Sequence, residues 1–287
     1  MTTSYPECKI NVGLHVVRRR PDGYHDLESI FVPVPLCDEL SMEPADAFAF
    51  RQTGIPIGGD PEKNLVVRAY RLMEALTPAR KQPLTVTLKK NIPFGAGLGG
   101  GSSDAAYALV MLNKLWEMHL DTDQLRLLAK RLGADCPFFI EHRPAYVTGI
   151  GDCIEPLALN PIAGHRLVVV KPPDAVSTAE AYAGITPREN DTALRQGHSA
   201  PFLPDAVRLP LDEWRHTIVN DFETTVFARH PQLADIKQRL YQSGAAYASM
   251  SGSGAALFAL YPADAEPRLD AHLQSITILN TIIHKES

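Results

Sequence analysis

Between residues 8 and 17 the chain alternates: Ile10, Val12, Leu14 and Val16 fall on one side, and Lys9, Asn11, Gly13 and His15 on the other. A period of two sends successive side chains to opposite faces of a strand, so this stretch predicts one core face and one polar face turned to ligand or solvent. Arg20-Pro-Asp-Gly-Tyr-His25 then carries turn chemistry. It presents Tyr24 and His25 either for ligand contact or for ordinary packing and capping. Further strands are expected at 27–34, 39–43 and 48–52. From Asn64 the apolar positions Leu65, Ala69, Leu72, Met73 and Leu76 keep helical spacing behind a capping residue.

A strand at 84–88 leads into residues 91–106, Asn-Ile-Pro-Phe-Gly-Ala-Gly-Leu-Gly-Gly-Gly-Ser-Ser-Asp-Ala-Ala, followed by a helix apolar on nearly every face. Asp121 and Gln124 make a capping box for the next helix, which runs to Leu132 and stops at Gly133. A hairpin is expected over 145–157 around Gly149-Ile-Gly151-Asp152, and a buried strand at 166–171. Ser177 and Glu180 read as a capping box for a short helix. Residues 186–210 are polar and rich in proline, a surface excursion rather than a domain. Helices at 221–228 and 233–242 follow, then a strand, the turn Ser251-Gly-Ser-Gly254 and a second strand up to Leu260. A helix near 265–274 and a strand near 275–283 complete the pattern.

At 287 residues with 45% hydrophobic and 21% charged residues, the chain has room for one large or two medium domains. A formal net charge of −5 argues against a general nucleic-acid or membrane-surface role. Cys8, Cys37, Cys136 and Cys153 are widely spaced and imply neither a zinc site nor a disulfide framework. The opening residues carry neither a signal peptide nor a basic transit segment, and no apolar run reaches transmembrane length. A cytoplasmic protein is expected.

The glycine cluster is the candidate chemistry. Gly95, Gly97, Gly99, Gly100 and Gly101 let backbone N–H groups converge on one anion, and the helix behind them adds unpaired donors and a partial positive charge. Ser102, Ser103 and Asp104 fit helix caps, and the two hydroxyls could also reach phosphate or magnesium. A flexible linker would not run straight into a buried helix. Gly95-x-Gly97-x-x-Gly100 matches the dinucleotide fingerprint literally, with Asp121 and Asp123 at a suitable distance. The context fails: Asn91–Phe94 separates it from the strand, and a helix stands where the second strand should come. No Gly-Lys-Ser/Thr closes a P-loop. Asp135, set before Cys136-Pro137-Phe138-Phe139-Ile140, reads either as a helix cap or as a catalytic base kept dry by its neighbours and ionised by a nearby cation.

Three of these segments together resemble the GHMP kinase superfamily of small-molecule kinases: Lys9-Ile-Asn11, Pro93-Phe-Gly-Ala-Gly-Leu-Gly-Gly-Gly-Ser-Ser103 and Met250-Ser-Gly-Ser-Gly254. Arg20–His25, Leu132-Gly-Ala-Asp-Cys-Pro137 and Asn220-Asp221 are similar to the branch that phosphorylates a cytidine-diphosphate-linked methylerythritol in the non-mevalonate isoprenoid pathway. The resemblance spans almost the whole chain. It implies a two-domain α/β (α+β) fold: an N-terminal ATP-binding domain over 1–157 with a left-handed βαβ crossover, and a ferredoxin-like C-terminal domain over 158–287.

By the same resemblance, Asp135 would accept the hydroxyl proton, and Lys9 would hold Asp135 ionised and stabilise the alkoxide. ATP would lie on Pro93, Phe94, Gly95, Ala96, Gly97, Leu98, Gly99, Gly100, Gly101, Ser102 and Ser103, with Asn64 a nucleotide contact or simply a cap. Asn11 would face the erythritol hydroxyls, His25 the cytosine edge, and Tyr24 and Tyr182 its ring, with Thr178 nearby. Gly252, Ser253 and Gly254 would support the loop or the substrate diphosphate. Magnesium would accompany ATP on phosphates, water and a loop serine, since no carboxylate cluster marks a protein metal site. The partner is a small molecule, with neither nucleic acid nor membrane involved, and the protein is a monomer or homodimer. A sister kinase of the homoserine or mevalonate type would lack the Pro-Asp-Gly-Tyr-His segment, and a non-catalytic sensor would be expected to lose Lys9 or Asp135.

Overall fold

The computed structural model describes residues 1–76, 82–190 and 202–284. The chain forms two compact units, one of residues 1–9, 33–94 and 99–143, the other of residues 10–32, 95–98 and 144–287.

The first unit is built on a four-stranded sheet of order β1-β4-β6-β5, from β1 (Thr2–Ser4), β4 (Glu39–Pro44), β5 (Ala49–Gly54) and β6 (Leu84–Lys90). β5 and β6 are parallel and are joined in sequence through α1 (Leu65–Leu76), a βαβ unit, while β4 lies antiparallel to β6. Leu40, Met42, Leu84, Val86 and Leu88 of this sheet join one core with α1 and with α2 (Gly100–Leu115). Ala105, Ala108, Leu109 and Leu112 bury the middle of α2. The capping box at Asp121 forms as expected and opens α3 (Thr122–Lys130). A short α4 (Phe138–Glu141) follows.

Most of a second sheet, β2-β3-β7-β8, belongs to the second unit: β2 (Glu7–Arg19) from Ile10 onward, β3 (His25–Cys37) as far as Val32, β7 (Ala145–Thr148) and β8 (Cys153–Pro156). β7 and β8 are the hairpin that Gly149 and Gly151 announce. The third sheet has the order β10-β11-β9-β12, all antiparallel, from β9 (His165–Val170), β10 (Tyr247–Met250), β11 (Leu257–Pro262) and β12 (Thr277–Ile282). Helices separate β9 from β10 and β11 from β12, so the chain order is βαββαβ with the first strand central, the ferredoxin-like arrangement. Helices Phe222–Arg229 and Pro231–Gln242 contribute Phe222, Val226, Leu233, Ile236 and Leu240 to its core.

Several local expectations are corrected. Neither serine nor Asp104 caps α2: the N-cap is Gly99, in the left-handed region at φ 70°, with no side-chain cap bond. Ser177 does accept from the Glu180 amide, but the Glu180 carboxylate turns to His230 Nε2 at 2.9 Å, so the reciprocal half of the box is missing. The helix expected near 265–274 is Ala271–Ile276, because Asp270 supplies the cap and Pro267 lies upstream of it. Of the polar excursion 186–210, residues 191–201 lie outside the described residues, and short helical turns occupy Arg188–Asn190 and Leu203–Ala206.

Candidate active site

In the first unit, Lys9 stands near the start of β2 with only 3% of its surface exposed. Its Nζ lies 3.5 Å from Asp135 Oδ2, a carboxylate one-third exposed. The helix after Asp135 is capped at Pro137 without any side-chain bond, so Asp135 is not its cap. The alternative of a carboxylate beside a cation is the one that the geometry follows. A Cβ placed on Gly99 would come within 3.2 Å of Lys9 Cε and 2.9 Å of Phe139 Cζ. The glycine therefore lets the N-terminus of α2 approach the ammonium. Backbone donors of a helix start, a lysine and a carboxylate converge here, a combination suited to an anion and to a proton leaving a nearby hydroxyl.

The remaining loop residues of this unit have distinct environments. Phe94 is 74% exposed. Pro93 is half-buried, Gly100 is packed against Ile92, and Gly101 lies beside Leu65 at the start of α1. Asn64 Oδ1 accepts from the Val66 amide at 2.9 Å, which accounts for it as a cap of α1. Ser102 is half-buried and interacts with the Cys136 thiol, which burial pushes up to about 12 and keeps neutral. Ser103 is fully buried, its hydroxyl donating to the Glu7 carbonyl at 2.7 Å, so it fastens α2 to β2. Among the described residues no group of three or more His, Cys, Asp or Glu is placed to hold a metal ion.

The second unit gathers Asn11, Gly97 and Gly252. Asn11 Nδ2 donates to Ser29 Oγ at 2.9 Å, and Ser29 Oγ donates to the Gly13 carbonyl at 2.6 Å, so the amide's orientation is fixed from behind. The Asn11 backbone N–H donates to Ser251 Oγ at 3.3 Å, while Ser251 Oγ donates to the Gly97 carbonyl at 2.9 Å. The carbonyl of Ala96 accepts from the Ala256 amide, Gly95 is exposed and Leu98 is buried. Gly252, at φ 55°, would place a Cβ 3.1 Å from the Gly97 carbonyl and 3.2 Å from Asn11 Oδ1. Asn220 Nδ2 donates to the carbonyls of Met250 and Gly252 at 2.8 and 2.9 Å and clamps the turn. Thr178 Oγ1 is 3.5 Å from Ser253 Oγ. The individual roles of Ser29, Ser251 and Asn220 escape a sequence reading, because each depends on a partner far away in the chain.

His25 and Tyr182 are brought face to face, with ring centroids 4.6 Å apart and planes 20° from parallel. Phe222 supports Tyr182 edge-on at 4.8 Å. Tyr24, 61% exposed, takes no part in that stack. In this arrangement Tyr182 covers the His25 ring itself. Burial, with Arg19 nearby, holds the His25 imidazole below its ordinary value of 6.5, so at neutral pH it offers one donor and one acceptor.

The chain matches the family model for the GHMP kinases N terminal domain over residues 64–142 and that for the GHMP kinases C terminal over residues 204–274. It is 46% identical over 257 residues to the 4-diphosphocytidyl-2-C-methyl-D-erythritol kinase of Parabacteroides distasonis, covering 90% of each chain. Its identity to the enzyme of the same name from Bacteroides thetaiotaomicron is 43%, over 90% of this chain and 91% of that one. A crystal structure of 4-(cytidine 5'-diphospho)-2C-methyl-D-erythritol kinase superposes with a TM-score of 0.72 at 34% identity, covering 90% of both chains. A mevalonate kinase structure reaches a TM-score of 0.71 at 13% identity over the full length of both, a likeness of fold alone. The chain belongs to the GHMP kinase family and, within it, to the 4-diphosphocytidyl-2-C-methyl-D-erythritol kinases.

Proposed function

We propose that this protein transfers the γ-phosphoryl group of ATP to the 2-hydroxyl of 4-diphosphocytidyl-2-C-methyl-D-erythritol, giving the 2-phosphate and ADP, a step of isoprenoid precursor synthesis. The observation that carries the reading is the Lys9–Asp135 pair at 3.5 Å, with Lys9 against Gly99 at the N-terminus of α2. Phosphoryl transfer asks little covalent chemistry of a protein: it needs the phosphate held, the acceptor hydroxyl placed and its proton removed. Asp135 takes the proton as the hydroxyl oxygen forms its bond to phosphorus, the bond from phosphorus to the bridging oxygen of ADP breaks, and Lys9 offsets the charge on the forming alkoxide. The helix-start amides from Gly99 onward hold the phosphates.

Magnesium bound with ATP would neutralise phosphate charge. Of the loop serines, half-buried Ser102 fits as its protein oxygen, whereas Ser103 is committed to Glu7. Asn11, oriented by Ser29, is assigned to the erythritol hydroxyls, and the neutral His25 imidazole to the cytosine edge. Tyr24, Tyr182, Thr178, Gly252 and Ser253 would complete the substrate contacts.

The test is ADP release with magnesium-ATP and the cytidine-linked methylerythritol, run beside mevalonate and homoserine. Turnover of the first substrate alone is expected. Turnover of mevalonate or homoserine alone, by a protein that binds ATP, would move the assignment to a sister kinase. The His25 assignment has its own signature in pH. A lowered imidazole value places half-protonation on the acid side of the ordinary value, so KM for the cytidine substrate is expected to be insensitive to pH on the alkaline side of neutrality and to rise as the pH falls through the acid range. His25→Gln removes the titrating group, and its KM profile is expected to be flat. A rise that persists in this variant assigns the titration elsewhere.

A further inference from the structure

The two ends of the glycine loop meet in a buried charge cluster. Lys90 is the last residue of β6, and its Nζ lies 2.8 Å from Oδ2 of Asp104 on α2 and in contact with Oδ2 of Asp38. Lys90 is 3% exposed, Asp104 2% and Asp38 not at all. Asp38 Oδ1 also accepts from the amides of Asn91 and Ile92 at 2.6 and 2.9 Å, which fixes the path of the chain as it leaves the sheet. A Cβ on Gly100 would lie 2.8 Å from Ile92 Cγ2 and 3.4 Å from Lys90 Nζ, so the helix start rests directly on the strand exit.

Asp104 sits where a cap or a metal carboxylate would be sought, but it is turned inward, with Oδ1 buried and without a hydrogen-bond partner among the described residues. A side chain so enclosed cannot reach a ligand on the outer side of the loop, and its partners are Lys90 and the neighbouring Asp38 carboxyl. Two ionised carboxylates around one ammonium would leave excess negative charge beside a phosphate site. Burial raises the Asp104 carboxyl to about 8, which limits the negative charge that it adds beside that site at neutral pH.

We propose that Lys90 and Asp104 form a clasp between the entry and exit of the glycine loop, and that this clasp, by fixing the start of α2, positions the nucleotide site and sets its affinity for ATP. Both are positioning residues that act through the loop. The inference rests on the kinase reading above. Backbone donors stabilise an anion only where their convergence is already fixed, so loosening one stem costs binding before it costs chemistry.

The experiment compares wild type with Asp104→Ala and Asp104→Asn. Lys90 keeps Asp38 as counter-ion in both, so no bare buried ammonium is created. In Asp104→Ala, KM for ATP and the dissociation constant of a non-hydrolysable ATP analogue are expected to rise about tenfold or more, with kcat at saturating ATP and KM for the alcohol within about twofold. Asp104→Asn retains an oxygen for Lys90 Nζ and is expected to recover most of the ATP affinity at pH 7. If Asp104→Ala is not recovered folded, Asp104→Ser, whose hydroxyl is too short to reach Lys90, carries the same expectation. A lowered melting temperature with unchanged ATP affinity would overturn the proposal and leave the cluster a matter of stability. An equal loss in the Asn and Ala variants would overturn it as well. A wild type that does not bind ATP at all would instead overturn the kinase reading, a result visible before any variant is made.

Discussion

Asp135→Asn is expected to lower kcat for ADP release by about 10²- to 10⁴-fold, the range for loss of a placed general base, with KM for both substrates little changed. The substitution keeps the shape of the side chain, and Asp135 caps no helix, so the fold has little reason to respond. What disappears is the acceptor for the hydroxyl proton and the counter-charge 3.5 Å from Lys9. Lys9→Ala is expected to fall in the same range, and the double variant is expected to be little worse than either single one, because paired groups that act as a unit lose their effect together. Steady-state kinetics with calorimetric binding of both substrates decides the matter. Unchanged kcat in Asp135→Asn would remove this carboxylate from the chemistry while leaving the family assignment intact.

The second large effect is expected at Gly97. Its φ of 74° lies in the left-handed region, and a Cβ there would stand 1.9 Å from the Ser251 carbonyl oxygen and 2.9 Å from its carbon. Backbone, unlike the end of a side chain, cannot step aside. Adding a left-handed penalty of about 1–2 kcal/mol to an overpacking cost of about 1–3 kcal/mol gives a destabilisation of roughly 2–5 kcal/mol for Gly97→Ala. The alternative to unfolding is separation of the loop from the Ser251 turn, with loss of the Ser251–Gly97 hydrogen bond. Gly95→Ala is the matched control: it shares a positive φ, 64°, but has no described residue within 4 Å of the added carbon. It is expected to show only the backbone penalty. Thermal melting and ATP binding of the two variants separate strain from collision, and equal behaviour would show that the contact with Ser251 is unimportant.

Much of this was legible in the residues because it is local. Alternation over Ile10–Val16 announces β2, Asp121 and Gln124 announce the start of α3, and the glycine run stands next to a helix whose burial its apolar residues foretell. What the local pattern misreads depends on partners distant in sequence. Asp104 looks like a cap, but a lysine 14 positions earlier claims it. Glu180 looks like half of a capping box, but His230 claims it. Ser103 looks like a cap, but the Glu7 carbonyl takes its hydroxyl. A polar side chain near a helix start satisfies several local rules equally well, and only the tertiary structure decides between them. The pairing of Lys9 with Asp135 belongs to the same class, and it was legible only through resemblance to the family.

Strand β9 lies between β11 and β12, so neither of its edges is satisfied by a neighbour in sequence: Val170 faces Leu257 on one side and Thr277 on the other. The β10–β11 hairpin, by contrast, closes across the short turn that holds Ser251 to Gly254. Loop-closure entropy grows with the length of chain enclosed, and pairings of long sequence separation slow folding. The hairpin is therefore the part of this sheet able to form early, with β9 waiting on two distant partners before its hydrogen bonding is complete. The turn that presents Gly252 would then take shape ahead of the sheet that carries it, and the slow step of maturation would be the docking of β9 onto a hairpin already made.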